Sequence, residues 1–173
     1  SIVTIALMVP HVVLADNNIM NTHSILQEQN NRELSTSYCK NKIINFNDFN
    51  KGTIIDDQYD GVSISGTALN KHKKGISGNR AMIFNSDHPT GDDHDLEFSD
   101  RWGILILSED GDTRDPDDNE FGGTFTFRFH QEVQMNSVII LDNEEGVDIV
   151  MRDVNGVKID KVWVPPKGDN TQQ

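Results

Sequence analysis

The sequence predicts an all-β domain, either an antiparallel sandwich or a barrel, on three observations. From Ile43 onward the chain is a series of short runs that are apolar or alternating, each bounded by Gly, Asn, Asp or Pro. No convincing helical repeat of apolar positions interrupts these runs. The pair Asn155-Gly156 stands between two of them, and Asn-Gly is a strong hairpin signal because both turn residues are expected to need positive φ. Short strands without crossover helices favour antiparallel sheets.

The first fifteen residues, SIVTIALMVPHVVLA, form an uncharged apolar run that ends just before Asp16. Its length is typical of the apolar part of a secretory signal peptide and is too short for a membrane span. We therefore predict a signal peptide over residues 1–15 that lacks its basic beginning, cleavage after Ala15, and a secreted or cell-surface location. The alternative is that this run is a buried strand of the domain.

Residues 16–42 predict a disordered polar linker, because they are rich in Asn, Gln and Ser and have few large apolar side chains. This tract contains Cys39, the only cysteine of the chain, so an intramolecular disulfide cannot form. An exported protein without disulfides has more need of another source of stability, which makes a bound metal more plausible.

Residues 43–173 then form the predicted β-sandwich domain, and this length suffices for one domain. The clearest strand is 123–130, where Phe125, Phe127 and Phe129 alternate with polar residues and predict one buried face. The complete set of predicted strands is 43–49, 52–56, 61–65, 80–85, 103–109, 123–130, 137–142, 147–153 and 157–164.

The negative charge is concentrated between Asn85 and Glu120. This stretch holds thirteen carboxylates against two arginines, and it accounts for most of the chain's net charge of −13. Carboxylates held close together in fixed loops repel one another unless each is fully solvated or a cation neutralises them. Ca²⁺ fits such a cluster, because it takes six to eight oxygen ligands in irregular geometry. The alternative is that the acids only solvate a loop surface.

The spacing of acids singles out two loops. Asp115, Asp117 and Asn119 form a D-x-D-x-N pattern, but the glycine and the final glutamate of an EF-hand are absent from it. We predict that Asp93 and Asp95 of the preceding loop join these residues at a structural Ca²⁺, provided that 97–102 crosses between two sheets. Asp87 is a weaker candidate ligand, and Asp48 and Asp142 are next in line.

Several ordered motifs resemble a family of secreted bacterial β-sandwich modules that is similar to galactose-binding-like jelly rolls. The motifs are FNKGTIIDDQYDGVSIS (49–65), RAMIFNSDHPTGDDHDL (80–96), ILILSED (104–110), DPDDNEFGGTFTF (115–127) and SVIILD (137–142). The chain departs from the family pattern at Asn85, where Asp is usual, and at Asp92, where Gly is usual.

The resemblance implies a jelly-roll fold whose last two strands lie beyond Gln173, so the domain is expected to be truncated and part of a longer protein. By similarity to carbohydrate-binding jelly rolls it also implies a structural Ca²⁺ near the first strand, with Asp48 as a contributor.

Three functions compete. The first is a secreted, monomeric, calcium-stabilised and non-catalytic binding or adhesion module for a glycan or cell-surface partner, with Tyr59, Trp102 and Trp163 as the aromatic residues for sugar stacking. The second is a glycan-active enzyme on a jelly-roll scaffold, which would need paired carboxylates; no catalytic motif supports it. The third is transition-metal binding through His88, Asp92 and His94, with His72 or His130 as further ligands. The acidic surface argues against nucleic acids and anionic membranes as partners.

Overall fold

The structure is a computed structural model that describes residues 42–91, 93–98, 102–168 and 171–173, together with the backbone of 3–8. Within these residues the protein is all-β, as the sequence predicts: it has seven strands and one short 3-10 turn, His94–Leu96. The strands are β1 (Val3–Met8), β2 (Val62–Ala68), β3 (Ala81–Asn85), β4 (Gly103–Leu107), β5 (Gly123–Phe129), β6 (Val147–Arg152) and β7 (Lys158–Val164). No helix in these ranges is long and apolar enough to cross a bilayer.

Two sheets make up the fold. The larger has the order β2-β5-β1-β6-β7, with β2–β5 and β6–β7 antiparallel and β1 parallel to both of its neighbours. The smaller is the antiparallel pair β3–β4. Backbone hydrogen bonds from Gly52 to Ile83 and from Ile55 to Ala81 add an extended segment alongside β3. The two sheets meet closely at Gly66, where a Cβ would lie 2.6 Å from the backbone nitrogen of Ala81. The arrangement is therefore sandwich-like.

The main core lies on β3 and β4. Met82 pairs with Ile106, and Phe84 pairs with Ile104. These four side chains are buried and form one cluster with Leu96 from the loop that follows β3. Every position of β4 except Leu105 is buried, which agrees with its prediction as a covered strand. Because Leu96 packs into this cluster, the core also fixes the acidic loop that precedes it.

The hairpin predicted at Asn155-Gly156 joins β6 to β7, but its turn differs from the prediction. The backbone NH of Gly156 and the side chain of Asn155 both bond to Asp153, whose own backbone NH donates to the carbonyl of Val157. Gly156 has φ +80, whereas Asn155 is not among the residues with positive φ. Only glycine takes the left-handed position, which is the pattern of a longer hairpin loop rather than a two-residue one.

A second apolar cluster covers one face of β5 and β6 only in part. It is built around the buried Val147, and the other members are half-buried: Phe127, Phe129, Val138, Ile140, Ile149, Met151 and Val164. Phe127 and Phe129 of β5 therefore share one face, as their alternation predicts, but the phenylalanines of β5 are less deeply buried than a core strand would make them. A groove of about 360 Å³ remains between residues 135–140 and strands β6 and β7.

Three predicted strands are wrong. Residues 52–56 form only an isolated bridge between Ile54 and Met82. Residues 43–49 contain a turn, since Phe46 has φ +61 and the backbone NH of Asn47 bonds to the side chain of Asn45. Residues 137–142 form only an isolated bridge between Leu141 and Gln172. At 43–49 a local polar contact replaces the regular ladder that the apolar residues suggest. At 137–142 the backbone of Ile140 and Asp142 bonds instead to the short segment 171–173.

The N-terminal run contains strand β1, which is the alternative to a signal peptide. The remainder of 1–15 and residues 16–41 of the predicted linker lie outside the described residues. Cleavage after Ala15 stays a prediction.

Candidate metal centre

The two acidic loops that the sequence analysis singled out meet in the structure. The backbone NH of Asp118 donates to Asp93 Oδ2 at 2.8 Å. The hydroxyl of Thr90 donates to the carbonyl of Pro116 at 2.7 Å, and the backbone NH of Gly91 reaches Asp115 Oδ1 at 3.3 Å. Three hydrogen bonds therefore hold the loop after β3 against the loop before β5.

The approach of the loops is tightest at Gly91. Its φ of +63 lies in the left-handed region, and a Cβ there would stand only 2.7 Å from the Cβ of Asp117. Real Cβ contacts essentially never come that close. Glycine at this position therefore allows both the turn and the contact.

Asp117 lies in surroundings that oppose its charge. Desolvation, followed by the charges of Asp93 and Glu109, raises the pKa of Asp117 to about 6. Asp110 and Asp115 add to the effect. Both causes penalise the anion, because a carboxylate removed from water and placed among like charges is stabilised by protonation or by a cation.

Asp118 shows the same effect more strongly. Desolvation of its carboxyl group is the first cause that raises its pKa to about 7, and the charge of Asp93 is the second. Asp95 and Asp142 contribute further repulsion. The residue as a whole remains exposed, so its carboxyl group lies among packed atoms at the edge of the site rather than inside a core.

Two oxygens of the loop before β5 are buried without a hydrogen-bond partner in the protein, Asp117 Oδ1 and Asn119 Oδ1. Asn119 is only 3% exposed. Its amide nitrogen donates to the carbonyls of Leu69 and Gly122, at 3.0 and 2.6 Å, which anchors the loop and leaves the oxygen as the free acceptor. A buried polar atom without a partner is costly, and a cation would remove that cost at both oxygens.

The predicted ligands fall into three groups. Asp93, Asp115 and Asp117 lie where the two loops meet, and Asn119 belongs to the second of these loops. Their role as ligands stays a prediction. Asp95 and Asp142 act on the Asp118 carboxyl through their charges.

The third group lies apart from these contacts. Asp87 is exposed, and its backbone NH donates to the side-chain oxygen of Asn85, which caps the turn. Asp48 acts instead on Tyr59, where burial and then the Asp48 charge raise the pKa of the phenol.

The structure corrects the expected route of the chain and adds residues to the site. The two strands that flank the first acidic loop do not belong to different sheets, because β3 and β4 are neighbours in one sheet. Leu96 instead brings the loop across the face of that pair. Asp118 is the residue that sequence reasoning missed: it follows directly after Asp117, outside the alternating D-x-D-x-N positions, and only the fold shows that it faces Asp93.

In the described ranges, no three His, Cys, Asp or Glu side chains already form a metal-ligand set. An ion at the junction would therefore draw on the Asn119 oxygen and on backbone carbonyls as well as on carboxylates. Ca²⁺ accepts all three kinds of oxygen ligand. The residues present thus fit Ca²⁺ better than a softer metal, which would select imidazole or thiolate.

The other predicted binding residues are dispersed. Tyr59 is buried and meets the rings of Phe46 and Phe49 edge-on, at centroid distances of 5.8 and 5.3 Å. Trp102 is half-buried, whereas Trp163 on β7 is 48% exposed. Tyr59 therefore belongs to an aromatic cluster, and Trp163 is the ring that remains accessible for stacking.

The predicted transition-metal site depends on a loop that is described only in part. His88 and His94 are both exposed, and Asp92 lies outside the described residues.

Comparison with known proteins identifies no relative: no family profile, curated protein or solved structure matches the chain.

Proposed function

We propose that this protein is a secreted or cell-surface, calcium-stabilised and non-catalytic binding or adhesion module of the galactose-binding-like, jelly-roll kind. One observation carries the calcium assignment: Asp117 Oδ1 and Asn119 Oδ1 are buried without partners in the loop before β5, where the pKa values of Asp117 and Asp118 are also raised. Their arrangement favours a cation over a hydrogen-bond donor, because several carboxylates share the place.

Ca²⁺ at this junction would join the two loops. Without an ion, the hydrogen bonds between the loops oppose the repulsion among Asp93, Asp117 and Asp118. With an ion, the same carboxylates are attracted to the cation, so their charges hold the two loops together. Extracellular modules use Ca²⁺ in this way at affinities of about 10⁻⁴ to 10⁻³ M.

The binding role rests on what the domain leaves exposed. Trp163 lies on the edge strand β7 with nearly half of its surface accessible. An aromatic ring at an edge can stack on a sugar ring, which supports a glycan or another cell-surface partner. The strong negative charge disfavours nucleic acids and anionic membranes.

The test is a thermal-unfolding titration with Ca²⁺ after treatment with EDTA. Binding to the folded state alone stabilises the protein by about 2.7 kcal/mol when free Ca²⁺ is a hundredfold above Kd. We expect the melting temperature to rise with the logarithm of the Ca²⁺ concentration. Mg²⁺ at equal concentration should give a smaller shift, because it requires a more regular octahedral site.

The variant Asp117→Asn should lose most of the Ca²⁺-dependent shift, because it removes one charge at the junction. Asp57→Asn is the matched control, since Asp57 is exposed and lies outside the acidic stretch. Equal Ca²⁺ shifts in both variants would place the ion elsewhere, and the absence of any shift in the wild-type protein would leave the acidic stretch as a solvated surface. A shift with Zn²⁺ alone would favour the histidine alternative.

A further inference from the structure

Strand β1 is inserted between two strands that run in the same direction. It pairs in parallel with β5 from Val3–Gly123 to Met8–Arg128, and in parallel with β6 from Val3–Val147 to Met8–Arg152. β5 and β6 therefore lie two strand spacings apart, about 10 Å, and do not bond to each other. We call the space between them the β5–β6 slot. No tight turn links β1 to either neighbour, so backbone pairing rather than a hairpin connection places it there.

The register of β1 against β5 and β6 shows which side chains a segment in the slot would place next to each strand. Ile5 is level with Phe125 and Ile149, and Leu7 is level with Phe127 and Met151. Phe127, Ile149 and Met151 are only half-buried, so this face of the sheet still has apolar surface to cover. The slot thus fits an extended segment with apolar residues at alternate positions.

The residues of β1 that alternate with Ile5 and Leu7 are level with a second row of positions on β5 and β6, and this row is more polar. Thr4 is level with Thr124 and Asp148, and Asp148 is paired with Lys161 at 2.8 Å. At the far end, Met8 is level with two cations, Arg128 and Arg152. An acidic residue at that end would meet complementary charge.

We propose that the β5–β6 slot is a strand-docking site for a partner protein's extended segment of about six residues, apolar at alternate positions and acidic at the arginine end. This proposal rests on the proposed export, since cleavage after Ala15 removes β1 and opens the slot. Docking satisfies the backbone NH and carbonyl groups of both β5 and β6, which gives affinity through the main chain and specificity through the apolar row. The occupant seen in the structure, Val3–Met8, has the required alternation.

The test uses the full chain with a specific protease site inserted after Ala15. The chain is folded, cut and passed over a gel-filtration column, and a fluorescent peptide of residues 1–15 is then added and followed by anisotropy. We expect saturable binding of one peptide per chain. The Leu7→Lys peptide should bind at least tenfold more weakly, because it places a charge in the apolar row between Phe127 and Met151.

The matched control is the Thr4→Lys peptide, which adds the same charge in the polar row beside Asp148 and should bind within about threefold of the unchanged peptide. A Met8→Glu peptide should bind several-fold more tightly, and this gain should vanish in Arg128→Gln protein. Retention of the cut fragment through gel filtration would instead show that cleavage leaves β1 in place and does not open the slot, and it would overturn the proposal.

The proposal is overturned if the cut fragment leaves and no peptide binds, or if the Leu7→Lys and Thr4→Lys peptides bind equally well. The Ca²⁺-dependent shift is measured on the same cut sample. A Ca²⁺ shift without peptide binding would reject the slot and leave the calcium module standing. Peptide binding without a Ca²⁺ shift would support the slot and reject the calcium module.

Discussion

The substitution Asp118→Asn should stabilise the protein in EDTA and weaken its response to Ca²⁺. The pKa of Asp118 is raised to about 7 from a usual value of 3.8, first by desolvation and then by the charge of Asp93. Between these two pH values the folded state holds the proton and the unfolded chain does not. Folding is therefore favoured in the acidic part of this window, and the stability that comes from the bound proton is lost as pH rises through 7.

The size of the effect follows from the position of the carboxyl group. Because Asp118 as a residue is exposed, solvent screening reduces the repulsion that it feels, and we expect Asp118→Asn to gain about 1 kcal/mol at pH 8 without Ca²⁺. At pH 4.5 the native aspartate is neutral and the unfolded chain has only begun to ionise, so the substitution should gain only a small part of that amount. In excess Ca²⁺ at pH 8, the variant has lost a charge near the ion and should be stabilised less by Ca²⁺ than the wild-type protein.

Urea unfolding at pH 4.5 and 8, each with EDTA and with Ca²⁺, measures all four free energies of unfolding. The expected pattern is a gain for the variant that is clearly larger at pH 8 than at pH 4.5 in EDTA, and that disappears or reverses in Ca²⁺ at pH 8. A loss of stability at pH 8 in EDTA would show that Asp118 is favourably placed as an anion, and the repulsion argument would then be wrong.

Two further substitutions separate the loop junction from the core. Gly91→Ala should weaken Ca²⁺ binding at least several-fold because its Cβ meets Asp117, whereas Gly78→Ala, which has positive φ but open space around it, should show only backbone strain of about 1–2 kcal/mol. Equal Ca²⁺ affinity in the two variants would contradict the tight approach. Phe84→Ala should lower the free energy of unfolding by about 3–5 kcal/mol, since Phe84 is fully buried, against less than about 0.5 kcal/mol for Ile139→Ala at a site that is 52% exposed. Similar urea midpoints for these two would refute the assignment of the core.

The fold class followed from sequence because strand periodicity and turn residues act locally. The alternation of Phe125 and Phe127 placed them on one face, and Gly156 marked the β6–β7 hairpin. Local signals failed where side chains bond to nearby backbone, as at Asn45, or where an apolar run gains only one bridge, as at Leu141. The depth of burial of the phenylalanines could not be predicted, because it depends on which distant segment covers them.

The site could be predicted in outline for a different reason. A dense cluster of acids is visible in any sequence, and the D-x-D-x-N spacing singles out the loop that carries Asp117 and Asn119. Which second loop they meet depends on Leu96 packing into the β3–β4 core, and this contact has no sequence pattern of its own. Asp118 was missed for the same reason, since its raised pKa comes from residues as distant in sequence as Asp93 and Asp142.

The N-terminal run is ambiguous for a physical reason. A signal peptide needs an uncharged apolar segment, and an inserted strand needs apolar residues at alternate positions; VTIALM meets both requirements. In the structure this segment pairs as β1, and its removal would expose the ladder groups of β5 and β6 along six residue pairs on each side. A strand edge of that length is not left open in stable proteins, because it pairs with whatever extended segment is available. Export with cleavage and an unfilled slot are therefore not both tenable: either the segment stays with the domain, or the mature domain binds another strand in its place.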